Sequence, residues 1–84
     1  MVTILYFARL REALGKASEQ LALPQEVGNV ASLRRVLASR GGPWAQELAQ
    51  SKNVRMAVNQ DMADSETPVR DGDEVAFFPP VTGG

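Results

Sequence analysis

The C-terminal segment Pro79-Pro80-Val81-Thr82-Gly83-Gly84 ends in the group that we expect to do chemistry, the carboxylate of Gly84. Pro79 has no amide hydrogen and cannot continue a strand, and consecutive prolines favour an extended backbone. Six extended residues span at most about 20 Å, which is enough to enter a pocket in another protein. Glycine has no Cβ, so a narrow channel can close around the last two residues. The pattern predicts a flexible tail that presents its carboxylate to partner proteins.

A carboxylate needs activation before it can react, because its delocalised charge repels nucleophiles. A mixed anhydride with AMP would remove that obstacle, and a sulfur donor could then displace AMP and leave a thiocarboxylate. The sequence has no cysteine and no histidine, which excludes thiolate nucleophiles, imidazole bases and nearly every transition-metal site. We therefore expect no active site and no metal site within the chain itself. The plain alternative is an inert, frayed terminus.

Length and composition indicate one ordinary globular domain. The 84 residues are 44% hydrophobic and 23% charged, with a net charge of -1. This charge gives no reason to expect nucleic acid or an anionic membrane as a partner. No apolar run approaches the roughly 20 residues of a membrane span, and the N-terminus does not resemble a signal peptide. We expect a cytoplasmic protein.

The periodicity of apolar residues predicts short strands around one main helix. Alternating apolar side chains indicate strands, which are expected at residues 2–8, 18–23, 54–59, around Met62 and 74–78. The main helix is expected at 30–39, with Asn29 or Ser32 as its N-cap. Shorter helices are expected at 9–14 and 43–48.

This order of elements predicts one α+β domain over residues 1–80, followed by a flexible tail over 81–84. The first and last strands are both strongly apolar, which favours a place side by side at the centre of the sheet. The main helix is expected to cover the face that carries Val2, Ile4 and Tyr6. The predicted fold is the β-grasp, or ubiquitin-like, arrangement: a mixed sheet of four to five strands packed on one main helix.

Three segments resemble one known family. The segment 71–84, which contains Phe77-Phe78-Pro79-Pro80 and ends at Gly84, resembles the C-terminal signature of the MoaD family, the small subunits of molybdopterin synthase. Phe7-Ala8-Arg9-Leu10-Arg11-Glu12-Ala13-Leu14-Gly15 is similar to the family's first strand and helix, and Ala57-Val58-Asn59-Gln60 to its middle strand. The resemblance follows the whole chain; it is specific at the tail and near the start, and loose across residues 16–28 and 40–53.

The resemblance implies a sulfur carrier on which other proteins act. An ATP-dependent adenylyltransferase, related to ubiquitin-activating enzymes, would activate Gly84, and a sulfur donor protein would supply the sulfur of a thiocarboxylate. The large subunit of molybdopterin synthase would receive the tail residues, which are Pro80, Val81, Thr82 and Gly83. Its own residues would then transfer the sulfur to a cyclic pyranopterin precursor, building the dithiolene of the molybdenum cofactor.

The same resemblance implies a stoichiometry. A dithiolene needs two sulfurs and each thiocarboxylate supplies one, so two charged carriers would be used per product. Two small subunits would sit at opposite ends of a large-subunit dimer, giving a heterotetramer. The chain itself would bind neither ATP nor a metal and would be a non-catalytic subunit.

A partner surface is expected on the face of the sheet opposite the main helix. An exposed apolar patch, the usual mark of an interface, is predicted there from Phe7, Ala57, Met62 and Phe78. Arg11, near the exit of the tail, would pair with a carboxylate of a partner. The alternatives are that the apolar residues pack under residues 9–14 or a loop, and that Arg11 is simply solvated.

Other conspicuous residues have simpler interpretations. Arg34 and Arg35 are expected on the wet face of the main helix, and Trp44 in the core. Asp71 and Asp73 flank a glycine and are interpreted as turn residues rather than calcium ligands, because nothing else of an EF-hand pattern is present.

Three other functions remain open. The chain could carry sulfur for another pathway, such as thiamine synthesis, although the tail from Phe77 to Gly84 argues against it. It could be a protein modifier joined to lysines through Gly84, since the same adenylate would serve. It could also be a β-grasp binding module with an inert tail.

Overall fold

The computed structural model describes residues 1–49 and 52–80. Within them, one mixed sheet contains the strands β1 (Val2–Tyr6), β2 (Ser18–Leu21), β3 (Arg55–Val58), β4 (Asp61–Ala63) and β5 (Glu74–Phe78). Their order across the sheet is β2-β1-β5-β3-β4. β1 and β5 are parallel, whereas all other neighbouring strands are antiparallel. The predicted pairing of the first and last strands is confirmed.

The helices in the same residues are α1 (Ala8–Leu14), α2 (Val30–Ala38) and α3 (Gly42–Leu48). A reciprocal capping box begins α2: the Asn29 side chain accepts a hydrogen bond from the Ser32 amide at 2.9 Å, and the Ser32 hydroxyl accepts one from the Asn29 amide at 3.3 Å. Asn29 is therefore the N-cap, and Ser32, the other predicted candidate, is its partner at the third helical position. Pro43 lies in the first turn of α3, where its missing amide hydrogen costs nothing.

The main helix α2 packs on one face of the sheet, which we call the inner face. Leu33 and Leu37 of α2 have no exposed surface and belong to the same buried cluster as Ile4 and Phe77 of the central strands. Alternate residues of β1 and β5 point into this cluster, as a strand covered on one face requires. The predicted packing face and the α+β, β-grasp fold are confirmed.

A hydrogen-bonded network joins the sheet to the ends of α2 and α3. The Tyr6 hydroxyl donates to Glu19 Oε2 at 2.7 Å, and Arg40 donates to both Glu19 oxygens at 2.9 Å. The bonds from Arg40 hold the pKa of Glu19 below its usual value, and burial raises the pKa of Tyr6. Arg40 also lies over the Trp44 ring, 4.4 Å from its centroid. Trp44, expected in the core, is half-buried at its margin.

Arg34 does not lie on the solvent-exposed face of α2, so that prediction was wrong. Its Nε donates to the carbonyl of Leu48 at 2.9 Å, and its Nη2 donates to those of Ala49 and Lys52 at 2.6 and 2.7 Å. Leu48 is the last residue of α3, where helix carbonyls lack partners within the helix. Arg34 therefore caps α3 and fixes it to α2. The neighbouring Arg35 is exposed, as predicted.

We expect Arg34→Ala to lower the free energy of unfolding by about 2 kcal/mol, since hydrogen bonds from a charged group contribute about 1.5–3 kcal/mol. Arg34→Lys should recover only part of the loss, because an ammonium lacks the planar fork of the guanidinium. Arg35→Ala is the matched control and should cost less than about 0.5 kcal/mol. Urea denaturation measures all three variants, and equal stabilities of Arg34→Ala and Arg35→Ala would contradict the capping role.

Asp71 and Asp73 lie in and directly after the turn before β5, as predicted. The Asp73 carboxylate accepts hydrogen bonds from the Arg70 amide at 2.8 Å and from the Asn59 side chain at 3.0 Å, which hold its pKa below the usual value. Asn59 and Gln60 have positive φ angles of 50° and 70°, as the two-residue turn of the β3–β4 hairpin requires. These polar residues therefore shape turns.

Candidate functional site

β1 and β5 are parallel neighbours, so both strands end on the same side of the sheet, and the chain leaves the sheet there after each of them. Phe7 follows β1 there, and its amide donates to the Phe77 carbonyl at 3.2 Å. Phe78 ends β5 and is followed by the half-buried Pro79 and Pro80. We call this end of the sheet the tail edge.

The tail residues Val81, Thr82, Gly83 and Gly84 lie outside the described residues. Their insertion into a partner and the reactivity of the Gly84 carboxylate stay predictions, as does the domain boundary after residue 80. Pro80, the first residue of the predicted insertion segment, comes two positions after the end of β5. The structure thus describes where the tail starts.

Phe7 is exposed because the backbone turns sharply at the next residue. Ala8 has a φ of 53°, in the left-handed region that residues other than glycine rarely adopt. This conformation takes the chain from β1 directly into α1, which Leu10 and Leu14 anchor in the core. Phe7 stays outside the core with 45% of its surface exposed. Its predicted exposure is confirmed.

An apolar strip crosses the outer face of the sheet, opposite α2. The strand registers place Leu5 beside Ala76, Ala76 beside Ala57, and Ala57 beside Met62. We call these four residues the outer strip. Met62 is 65% exposed and Leu5 is half-buried, so larger side chains stand at both ends with two alanines between them. This shape can receive an apolar side chain of a partner.

Ala57 is buried, with 8% of its surface exposed, so its predicted exposure is wrong. It lies on β3 between two other strands, and its methyl group is flanked by Ala76 and Met62. The alternation of side chains along a strand assigns a residue to one face of the sheet. It does not show how much of that residue the side chains on neighbouring strands cover. Phe78, on the same face, is half-buried. The role of these residues at an interface stays a prediction.

Two exposed arginines lie near the tail edge. Arg11 is in the last turn of α1, and Arg55 is the register partner of Phe78. Neither forms an ion pair with the residues that the structure describes, whereas Arg9 pairs with Glu47 at 3.4 Å. The pairing of Arg11 with a carboxylate of a partner stays a prediction. Arg55 was not among the predicted interface residues. Its position two residues before Ala57 placed it on the same face of the predicted strand, which was the sequence evidence for including it.

Within residues 1–49 and 52–80, no group of three or more acidic side chains is placed to hold a metal ion. No helix in these ranges has the length and apolar character that crossing a bilayer requires.

The sequence profile of the ThiS family matches residues 4–84 of the chain. The chain belongs to the ThiS family. A curated relative from Escherichia coli K12, named molybdopterin synthase sulfur carrier subunit, is 42% identical over 84 residues, which are 100% of both chains. A protein of the same name from Haemophilus influenzae is 39% identical, again over 100% of both chains.

Solved structures share the fold of this ThiS-family chain. The putative molybdopterin converting factor subunit 1 from Pyrococcus furiosus is 30% identical, with a TM-score of 0.77 over 95% of this chain and 97% of that chain. The names of these relatives agree with the resemblance found in the tail and in the first strand and helix. The predicted likeness to small subunits of molybdopterin synthase is confirmed.

Proposed function

We propose that this chain is the sulfur carrier subunit of a molybdopterin synthase and that Gly84 is the residue that carries the sulfur. The observation that carries the proposal is the 42% identity, over the whole of both chains, to a relative of that name. The fold supports it, because the two central strands end together at the tail edge and the tail follows β5 directly. The chain donates sulfur, and its partners perform the catalysis.

Two chemical steps load the carrier. The Gly84 carboxylate attacks the α-phosphorus of ATP held by an adenylyltransferase, and pyrophosphate leaves. A sulfur nucleophile then attacks the carbonyl carbon of the acyl adenylate, and AMP leaves with the electron pair of the broken carbon–oxygen bond. With hydrosulfide as the nucleophile, the product is the thiocarboxylate. ATP is therefore used by the activating partner, and this chain supplies the acyl group.

The large subunit of the synthase is the acceptor partner. The thiocarboxylate delivers its one sulfur to the pterin precursor there, and a second charged carrier completes the dithiolene. A large-subunit dimer with a carrier at each end accounts for this use of two carriers. The same chain must therefore bind at least two different proteins in turn.

The outer strip adjoins the tail edge, since Ala76 lies two residues before Phe78 on β5, and we assign the partner surface to this region. Burial of Met62 and Phe78 against a partner would release water from exposed apolar surface. Arg11 and Arg55 would pair with carboxylates around the buried patch, which favours a correctly oriented encounter. A partner that covers the outer strip would also receive the tail.

The intact mass of the chain from cells tests the carrier role. A thiocarboxylate adds the mass difference between sulfur and oxygen, and the gain should vanish after reaction with the large subunit and the pterin precursor. Isopeptide-linked forms without any thiocarboxylate would instead support a protein modifier. A chain found only with its unmodified carboxylate would support a binding module with an inert tail.

Met62→Ala and Phe78→Ala should each weaken binding to the large subunit and to the adenylyltransferase by about 2 kcal/mol, as truncation of an interface anchor typically does. This corresponds to roughly a thirtyfold rise in Kd. Isothermal titration calorimetry measures both affinities. Met62→Ala should leave the free energy of unfolding within about 0.5 kcal/mol of wild type, because the side chain is exposed.

Gln25→Ala, an exposed residue in the turn between β2 and α2, is the control for binding and should change neither affinity. If Met62→Ala and Phe78→Ala both bind the two partners as tightly as wild type, the outer face of the sheet is not the partner surface.

A further inference from the structure

A second surface lies on the inner side of the sheet, beside α2. A cleft of about 100 Å³ opens there, and its apolar floor is formed by Ala31, Ala38, Leu48 and Met56. We call it the α2 cleft. Met56 belongs to the buried cluster of the inner face, whereas the next residue, Ala57, belongs to the outer strip. The α2 cleft and the outer strip are therefore on opposite faces of the sheet.

Arg34 and Arg35 line the mouth of the α2 cleft. Arg34 uses Nε and Nη2 to cap α3, and its Nη1 has no hydrogen-bond partner within residues 1–49 and 52–80. Neither arginine forms an ion pair with a residue in these ranges. Partial burial lowers the pKa of Arg34, because desolvation disfavours the charged form. An anionic group at the mouth would offset this cost.

The polar residues in and next to the α2 cleft do not supply that anion. Ser65 contributes a neutral hydroxyl to the lining. The adjacent Asp64 carboxylate is used inside its own turn, where it accepts hydrogen bonds from the Glu66 amide at 2.9 Å and the Thr67 hydroxyl at 3.3 Å. The α2 cleft thus combines an apolar floor with positive charge that no described carboxylate pairs.

The α2 cleft also lies at the tail edge. Met56 on its floor is the register partner of Phe77, one residue before the end of β5. The segment 79–84 spans at most about 20 Å when extended. A protein seated in the α2 cleft can therefore bring a reactive sulfur to Gly84 while another partner covers the outer strip.

We propose that the α2 cleft is the docking site of the sulfur donor protein, which places one aliphatic side chain on the cleft floor and an adjacent Asp or Glu carboxylate against the two arginines. The inference rests on the proposed function, because it concerns how Gly84 receives its sulfur. A volume of about 100 Å³ is below the roughly 300–1,000 Å³ of small-molecule sites and suits one side chain. A separate site is needed because the adenylate forms while the adenylyltransferase holds the carrier.

The chemistry of the docked complex balances with a protein persulfide and a thiol. The terminal persulfide sulfur attacks the acyl carbon of the adenylate, and AMP leaves. The new bond is the carbon–sulfur bond, and the intermediate is an acyl disulfide that keeps the sulfur–sulfur bond of the persulfide. A free thiol then attacks the donor protein's cysteine sulfur, and this sulfur–sulfur bond breaks with the thiocarboxylate as the leaving group. The products are the thiocarboxylate on Gly84 and a mixed disulfide between that thiol and the donor protein.

Arg35→Glu tests the docking site, because it reverses the charge at the cleft mouth without removing the bonds that Arg34 makes. The probe is the persulfide-bearing protein that charges the wild-type chain in a reaction reconstituted with adenylyltransferase and ATP. We expect the concentration of this protein that gives half-maximal thiocarboxylate formation to rise about tenfold, a loss of about 1.4 kcal/mol. Pyrophosphate release during adenylation should not change.

Two further variants and one further probe sharpen the test. Ala38→Met fills the cleft floor and should raise the same half-saturation concentration. Arg70→Glu makes the matched charge change at an exposed arginine before β5, away from the tail edge, and should behave as wild type. Inorganic sulfide needs no docking site, so it should charge Arg35→Glu and wild type at equal rates.

The outcomes separate this proposal from the proposed function. Wild-type half-saturation by the persulfide protein in both Arg35→Glu and Ala38→Met would overturn the docking site. If Arg35→Glu loses as much charging with inorganic sulfide as with the persulfide protein, the docking site is also overturned, because the variant would then be impaired in forming or reacting the adenylate itself. If the wild-type chain forms no thiocarboxylate with either sulfur source, the proposed function fails and the docking site fails with it.

Discussion

Removal of Gly84 should abolish thiocarboxylate formation and leave thermal unfolding unchanged. The deletion draws the terminal carboxylate back by up to about 3.3–3.6 Å. A misplacement of about 1 Å at a reacting centre can already cost on the order of a hundredfold in rate. Stability should be unaffected because the deleted residue comes well after Phe78, the end of β5. Mass spectrometry of the chain after incubation with adenylyltransferase, ATP and sulfide measures charging, and a thermal melt measures stability.

Gly83→Val should be equally inactive for a different reason, since the partner channel that we propose for the tail would admit only backbone and a branched side chain would block entry. The matched control is a chain extended beyond Gly84 by a peptide that a protease removes. It should be inactive while the Gly84 carbonyl is part of an amide, and active once cleavage restores the carboxylate. Normal charging of the chain that lacks Gly84 would falsify the assignment of the reactive group.

The largest effect on stability is expected from Leu33→Ala. Leu33 has no exposed surface and lies in the buried cluster between α2 and the central strands. Its truncation should lower the free energy of unfolding by about 2–5 kcal/mol, because less apolar surface is buried and the cavity that remains is a further cost. Domains of this length have a free energy of unfolding of only about 4–13 kcal/mol, so the variant should be close to unfolding. Urea denaturation provides the measurement.

Leu33→Met controls for the position itself, because it keeps the side-chain volume and should cost less than about 1.5 kcal/mol. A loss below about 1 kcal/mol for Leu33→Ala would show that α2 packs less closely on the sheet than the structure indicates.

Local patterns predicted most of the fold. Alternation located β5 at residues 74–78, and the pair Asn29 and Ser32 marked the start of α2. The end of β1 was misjudged, because the strand stops at Tyr6 and not at residue 8. Ala8 turns the chain there with a left-handed backbone, which the periodicity of side chains does not encode.

Contacts between distant parts of the chain were not visible in the sequence. Arg34 resembled a solvated helix residue, but its acceptors depend on where the end of α3 packs. Ala57 was assigned to the correct face, yet its burial depends on the size of side chains on neighbouring strands. The tail differs from Arg34 and Ala57, because its predicted chemistry does not depend on tertiary contacts. The prolines and glycines from Pro79 to Gly84 suggested that chemistry directly from the sequence.

The pairing of β1 with β5 also affects how the protein is made. Thr3 pairs with Glu74, so the centre of the sheet is closed by a strand that leaves the ribosome long after the first. Until then β1 has only β2 beside it, and β3 and β4 have no central strand to join. The sheet can therefore be completed only after β5 has emerged, which at about 5–20 residues per second is several seconds after β1. A partner that recognises the folded sheet therefore selects chains whose synthesis has continued through β5 to the start of the tail.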